Sequence, residues 1–439
     1  MKTANHHSLP YFPYTVFPAQ RVAQEQQESL SANVLQLQKE FGRVEAELKY
    51  EKFKREMLDR ELQDAKKAPP PPTTARPKTP SDAFRREQER RLGNILDICS
   101  SAHKPVGVVH SLLPTQNGMT YCMIPRSSDS FWLQIYRYIH HDYRQINIQS
   151  PMEISWKEAH NRPFSRTKKV SWLRLKDAEK QQILKSRIFF AVQDPFKRLW
   201  ETYVDHFRLP QKWSSTGAKI EAKRVQNSPV RQAKSLVKNC GMDVTFQEFI
   251  LFALKSYESD YDPYYRLCDP CQLKPTYIIR EETKVEDTRF VLQHFNLAWV
   301  VSSPNFTQDE YLRYINNTVT EAVSLFKDAH KTKCASGGDL GKRLWSALEV
   351  MGMIPEGTTS APYIDDQTKS ASVIKIATNL FFAAEGHGVD RTAQKRKHMV
   401  QAFQSLSQES LEAIKEKYGP DFRLFDYERS PRDFNIPSH

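Results

Sequence analysis

The stretch that most limits what this chain can become is residues 186–207, SRIFFAVQDPFKRLWETYVDHF. Residues 188–192 form an unbroken apolar run, as a strand buried on both faces requires. Gln193-Asp194-Pro195 ends it, and proline suits the first turn of a helix. Phe196, Leu199, Trp200, Tyr203 and Phe207 then recur at helical spacing and make one apolar face. The reading is strand, tight loop, helix. Such a loop lies at the carboxyl end of a parallel strand, where the helix offers free N–H groups to an anion. An ordinary core βα unit that binds nothing fits the same pattern.

A second unit of this kind precedes it. Residues 118–124, GMTYCMI, read as a strand, residues 125–130 as a polar loop and residues 131–140 as a helix. Ser127, Ser128 and Ser130, the guanidinium of Arg126 and a helix N-terminus together make a candidate phosphate cradle. The loop lacks the GxxxxGK[ST] pattern of a nucleotide P-loop, and hydroxyl-rich loops also serve as plain helix caps.

At 439 residues the chain has room for one large domain or two, with extensions. Residues 1–20 read as disordered. Residues 21–67 read as a coiled-coil stem: Leu30, Val34, Leu37, Phe41, Val44 and Leu48 alternate steps of four and three, and Leu58 and Leu62 resume the series. A homo-oligomer through Leu30 to Leu62 is the expectation. Residues 68–80, APPPPTTARPKTP within them, read as a proline-rich linker. The main domain is placed at 81–430, opening on a helix that Ser81 or Asp82 caps, with a short tail at 431–439.

The net charge of +12 favours an anionic partner without choosing among nucleic acid, membrane and polyanionic glycan. Residues 208–238 hold eight Lys or Arg against Glu221 alone, and read equally as a solvated flexible insertion or a polyanion-binding surface. Only Trp213 is interleaved there, which argues against single-stranded nucleic acid. The six cysteines are too few for a disulfide scaffold in a chain this long. Cys268-Asp-Pro-Cys271 has no second ligand pair, so zinc is not expected, and a redox pair would precede a helix. No stretch reaches the roughly 18–20 apolar residues of a membrane span, and no signal peptide is visible, which taken literally reads as soluble and cytosolic. Two sequons, Asn305-Phe-Thr307 and Asn316-Asn-Thr318, lean towards a secretory lumen.

Further on, residues 245–257 read as an amphipathic helix, 261–271 as turns, 276–279 as a strand and 285–295 as a helix. Residues 331–368 read as mostly loop with a helix near 342–351, and 409–418 as the last helix.

In this order the parts resemble the Golgi carbohydrate sulfotransferases that act on chondroitin, dermatan and related N-acetylhexosamine chains. Their Pro-Lys-x-x-Cys-Thr-x-Trp loop is matched by Pro125-Arg-Ser-Ser-Asp-Ser-Phe-Trp132. Their Arg-x-Pro-Phe-x-Arg-Leu and Ser-Ala-Tyr segments are matched by Gln193-Asp-Pro-Phe-Lys-Arg-Leu199 and Glu201-Thr-Tyr203. Pro263-Tyr-Tyr-Arg-Leu-Cys-Asp-Pro-Cys271, Tyr277-Ile-Ile279 and Tyr418-Gly-Pro-Asp-Phe-Arg-Leu-Phe-Asp-Tyr427 match further family segments.

The resemblance implies an α/β fold, a central parallel sheet with flanking helices in a P-loop-like sulfotransferase arrangement. It implies 3′-phosphoadenosine-5′-phosphosulfate as sulfate donor, no metal, and a glycosaminoglycan or glycoprotein glycan as acceptor, with no nucleic acid. It implies a Golgi location and a membrane anchor, although none is visible here. By residue it assigns donor binding to Arg126, Ser127, Ser128, Asp129, Ser130, Gln193, Lys197, Arg198 and Glu201, with Arg126 as the catalytic cation. Charge building on the leaving bridging oxygen is stabilised by such a cation and by helix N–H groups, while the acceptor hydroxyl needs a base.

Several positions depart from the pattern. Arg126 replaces Lys, Asp129 and Ser130 replace Cys and Thr, and Asp260-Tyr261 replaces His-Trp. Gln193 replaces the Arg that holds the 3′-phosphate, and Glu201 replaces its assisting Ser. Lys197 is the expected substitute cation. The alternative reading is an inactive member that binds polyanionic glycans or acts as a scaffold.

Overall fold

The computed structural model describes residues 80–101, 107, 109, 111–115, 118–145, 148–164, 168–226, 240–302, 306–331, 333–431 and 434. The chain divides into units 1–77 and 78–439, and every described residue lies in the second. Residues 1–20, read above as disordered, residues 21–67, read as a coiled-coil stem, and all of the expected proline-rich linker but Pro80 lie outside the described residues, as do Asn305 and most of the tail.

The domain opens on α1, Pro80–Ser100. A four-stranded sheet follows in the order β1 (Leu112–Pro114), β2 (Met119–Cys122), β3 (Arg187–Val192) and β4 (Tyr277–Arg280). β2, β3 and β4 are parallel, with Met119 opposite Arg187 and Phe189 opposite Tyr277. β1 joins β2 antiparallel, so the sheet is mixed rather than wholly parallel. This edge strand is too short for an alternation to register in sequence.

Side chains alternate across a strand, and here both faces are covered. Tyr121, Phe189, Ala191 and Ile279 pack on one side with α2 (Asp129–Ile139) and Val291, while Cys122, Ile188, Phe190, Val192 and Ile278 pack on the other with Ile95 of α1 and Leu424. Each fully buried Phe or Ile contributes roughly 1.5–3 kcal/mol. That two-sided burial is why residues 188–192 carry no polar side chain.

After β3, Asp194 caps α3 (Pro195–Tyr203) through a 2.8 Å bond from the Phe196 N–H, with Pro195 in the first turn. The helix runs on as a π-helical turn through Arg208. Its apolar face packs into an all-helical layer with α4 (Phe246–Lys255). Beyond β4 come α5 (Lys284–Gln293), α6 (Phe306–Lys331), α7 (Gly337–Val350), α8 (Ser370–Gly386), α9 (Arg391–Gln404) and α10 (Gln408–Lys417).

Four expectations change. Residues 208–226 are no free insertion: they are largely helical, and Trp213 and Ile220 are buried. A Cβ on Gly217 would stand 2.5 Å from the Gly241 carbonyl, so the start of the helical segment packs directly on the chain at Gly241. Residues 227–239 lie outside the described residues. The helix expected near 342–351 starts at Gly337, and a short turn of helix, Gly419–Leu424, follows α10. All six cysteines are paired, as Cys99–Cys271, Cys122–Cys268 and Cys240–Cys334. The CxxC is therefore two halves of two different bridges, neither a redox pair nor a metal site. Among the described residues no helix is long and apolar enough to cross a membrane.

Candidate active site

A cavity of about 550 Å³ lies where the loops after β2, β3 and β4 meet. This is the carboxyl edge of the parallel strands, where open α/β sheets bind ligands. Arg126, Ser128, Asp129 and Ser130 line it from the first loop, Gln193 from the second, and Glu281 and Glu282 from the third. α6 and α9 supply the opposite wall, through residues such as Glu310, Tyr314, Glu321 and Lys395.

The first loop is shaped by two non-glycine residues with positive φ, Arg126 at 62° and Ser128 at 55°. This backbone folds the loop into a tight turn, in which the Ser127 N–H donates back to the Ile124 carbonyl at 3.3 Å. Ser128 ends the loop and Asp129 begins α2, whose first N–H groups lack intrahelical partners. The Ser128 hydroxyl donates to Glu281, and the Ser130 hydroxyl lies 2.8 Å from Nε2 of His160. Burial holds the pKa of His160 below the usual imidazole value.

A second set of lining residues follows β3. Gln193, Lys197, Glu201 and Asp205 are each four residues apart, and all four border the cavity. Lys197 and Glu201 stand one turn apart, about 6 Å, on the same face of α3. Gln193 precedes them in the loop and Asp205 follows in the π-helical turn, so the four make a polar stripe along the cavity.

Arg126 joins the two sets. Its guanidinium donates to Asp205 at 2.7 Å and to Gln211, and lies 3.1 Å from Nε2 of His206. Its backbone carbonyl accepts from Gln193 at 2.9 Å. Burial pushes the Asp205 carboxyl up to about 6, helped by Glu321 and Glu201, while Arg126 opposes the rise. His206 is held well below the imidazole range, first by burial and then by Arg126 and Lys212, so it is neutral.

Two of the expected donor ligands face away from the cavity. The Ser127 hydroxyl is buried and donates to the Tyr264 hydroxyl at 2.9 Å. Arg198 is buried too, donating to the carbonyls of Asp262, Pro125 and Ser259 at 2.5, 3.1 and 2.8 Å, with its guanidinium 4.6 Å from the centre of the Tyr264 ring. The Tyr264 hydroxyl also accepts from the Gln193 N–H at 3.2 Å. Ser127, Arg198 and Tyr264 thus tie the first two loops to the 259–271 segment. They set loop geometry and do not touch a ligand in the cavity. The positive φ at both neighbours of Ser127 is what turns its side chain inward while Ser128 turns out.

Six cations and eight carboxylates line the cavity. Each cation has an acidic partner: Arg126 with Asp205, Lys197 with Glu282 at 3.8 Å, Lys284 with Glu281 and Glu310, Arg313 with Glu310, Arg391 with Glu385, and Lys395 with Glu201 at 2.5 Å. The Lys197–Glu282 pair is the longest of them. Among the described residues no group of three or more His, Cys, Asp or Glu is arranged to hold a metal ion.

Sequence reasoning missed Asp205, which continues the four-residue spacing from Gln193 and was legible in that way. It also missed α6, although Ile315, Val319, Val323 and Phe326 recur at helical spacing and are all buried. Lys395 carried no signal, because only the fold brings it to Glu201.

The model of the Sulfotransferase family matches residues 110–336, just over half of the chain. The chain belongs to the sulfotransferase family. The match covers the sheet and the first two loops and ends before α7. Among curated proteins, carbohydrate sulfotransferase 12 of Xenopus laevis is 25% identical over 247 residues, 50% of this chain and 59% of that protein. Carbohydrate sulfotransferase 11 of Mus musculus is 23% identical over 237 residues, 52% of this chain and 64% of that protein. The chain thus spans about six-tenths of the length of these relatives. No solved structure matches it significantly.

Proposed function

We propose that this family member transfers sulfate from 3′-phosphoadenosine-5′-phosphosulfate to a hydroxyl of a glycosaminoglycan or glycoprotein glycan. The observation that carries the reading is the convergence of two strand–loop–helix units on one cavity, the first loop built around left-handed backbone at Arg126 and Ser128. The loops offer such a donor hydroxyls and a helix N-terminus, and five of the eight lining carboxylates are paired with cations, while Asp129, Glu286 and Glu321 make no ion pair among the described residues. The donor, when bound, supplies the sulfuryl group. The Ser128 and Ser130 hydroxyls and the first N–H groups of α2 hold its 5′ end, with Asp129 at the rim. Gln193, Lys197 and Glu201 border its 3′ end.

Arg126 neutralises charge on the leaving oxygen, and its guanidinium is aimed by Asp205, His206 and Gln211. Asp205 is the base for the acceptor hydroxyl: its raised pKa, near 6, lets it gain and lose a proton close to neutrality.

The working compartment on this reading is an oxidising lumen of Golgi type, supported by three disulfides and by the exposed sequon Asn316. Residues 21–67 would then act as an oligomeric stem. Incubation with radiolabelled donor and a panel of glycan acceptors tests the activity, and calorimetry with adenosine 3′,5′-bisphosphate tests the site. Binding of that nucleotide with sulfate transfer supports the enzyme. Neither binding nor transfer removes it and leaves the glycan-binding scaffold.

A further inference from the structure

The β3–α3 end of the cavity is poor in cations from its own segment. Gln193 at the helix entry is neutral, and Arg198 is spent on three backbone carbonyls. Lys197 remains, drawn towards Glu282. The other cation here comes from far along the chain. Lys395 of α9 reaches across to Glu201 at 2.5 Å, and against burial the charges of Lys395 and Lys197 hold the Glu201 carboxyl below its usual range.

α9 is fixed where it stands. Phe403 packs edge-on against Phe196 of α3 at 5.2 Å, and Asp390 caps the helix through the Ala393 N–H. One turn before Lys395, Arg391 also borders the cavity, but its guanidinium lies 3.7 Å from the centre of the Phe381 ring and bonds Glu385 and the Phe381 carbonyl. Arg391 is thus committed to holding α8 to α9. Lys395, about one-quarter exposed, has Glu201 as its ionic partner and opens on the cavity.

A carboxylate offers one negative charge where a phosphate offers nearly two and three acceptor oxygens. An ammonium at the mouth of a shared cavity therefore exchanges the first for the second when a phosphate arrives. We propose that Lys395, from a helix outside the family-matched segment, binds the 3′-phosphate of the nucleotide donor, and that Glu201 holds its place until that phosphate arrives. The inference rests on the donor assignment made above. Glu201 is then a competitor of the donor, not a ligand to it.

The test is calorimetry on the full chain at fixed pH and salt, with adenosine 3′,5′-bisphosphate and adenosine 5′-monophosphate as probes. Lys395→Ala should weaken the bisphosphate by about tenfold or more, as loss of a charged hydrogen bond does, and leave the monophosphate within about twofold. Lys395→Arg should retain most of the bisphosphate affinity, and Glu201→Gln should raise it above wild type. Thermal unfolding of each variant at the wild-type temperature excludes a folding defect; if Lys395→Ala is unstable, the Glu201→Gln result decides. Unchanged bisphosphate affinity in Lys395→Ala, equal losses for both nucleotides, or weaker binding in Glu201→Gln overturns the inference while leaving the donor site standing. A wild-type chain that binds neither nucleotide overturns the donor assignment itself.

Discussion

The guanidinium of Arg126 and the carboxylate of Asp205 stand 2.7 Å apart, joining the loop after β2 to the far end of the stripe that begins at Gln193. An anion that uses Arg126 must share it with Asp205. Because burial lifts the Asp205 pKa to about 6, protonation as pH falls through that value frees Arg126 for the ligand. Asp205→Asn removes that competition at every pH and shares the titration of the nucleotide's own phosphates, so wild type should bind adenosine 3′,5′-bisphosphate more weakly than the variant at pH 7.5 and about equally at pH 5.5. Calorimetry across that range measures both. Stability carries the same sign. The folded state keeps the Asp205 proton to higher pH than the unfolded chain does, so this group favours folding below about pH 4 and the advantage fades as pH rises towards 6.

Removing Arg126 should affect chemistry more than architecture. Arg126→Ala is expected to lower sulfate transfer by roughly 10²–10³-fold, the usual effect of losing a group that stabilises developing charge. Its unfolding temperature should stay close to wild type. Transfer assays beside calorimetric melts separate the two effects.

Arg198 predicts the reverse. Arg198→Met leaves the carbonyls of Pro125, Ser259 and Asp262 without their donor in a buried site. The expected cost is about 3 kcal/mol in denaturant unfolding, since orphaned buried polar groups lose their full solvation. Ser127→Ala should cost about 1 kcal/mol, through the lost bond to Tyr264.

Gln193→Arg should strengthen nucleotide binding. The new guanidinium would lie against Glu201, drawing the carboxylate away from Lys395 and adding a charge of its own. Lys197→Ala should weaken binding, because its pairing with Glu282 is loose enough to yield to an anion. Paired titrations of wild type and both variants give the comparison.

With all six cysteines bridged, alkylation of the unreduced, denatured protein should modify none of them, and full reduction should expose all six. Replacing Cys122 and Cys268 together should lower stability by about 2–4 kcal/mol in chemical denaturation.

Periodicity and punctuation made the two strand–loop–helix units readable. A buried strand leaves a solid apolar run, and Pro195 marks where the helix begins. The direction of individual loop side chains was not readable, since it depends on left-handed backbone at Arg126 and Ser128 that no propensity favours. Ser127 and Arg198 carry the right chemistry for a ligand, yet the fold spends them on Tyr264 and on carbonyls. Contacts across long separations were equally silent: nothing in the composition of residues 391–404 announces that Lys395 meets Glu201. Cysteine count allowed disulfides, but the pairing of six is one of fifteen choices that only proximity decides.

The bridges run from Cys99 to Cys271, from Cys122 to Cys268 and from Cys240 to Cys334, so none of the first three cysteines is the partner of another. A ribosome delivers Cys99, Cys122 and Cys240 before any right partner has left the exit tunnel. Any bond formed in that interval is a wrong one and must be undone by thiol exchange before the loop at Arg126 can be fastened to the segment carrying Tyr264. A host that reshuffles disulfides as well as forming them should therefore yield more folded protein than one that only oxidises.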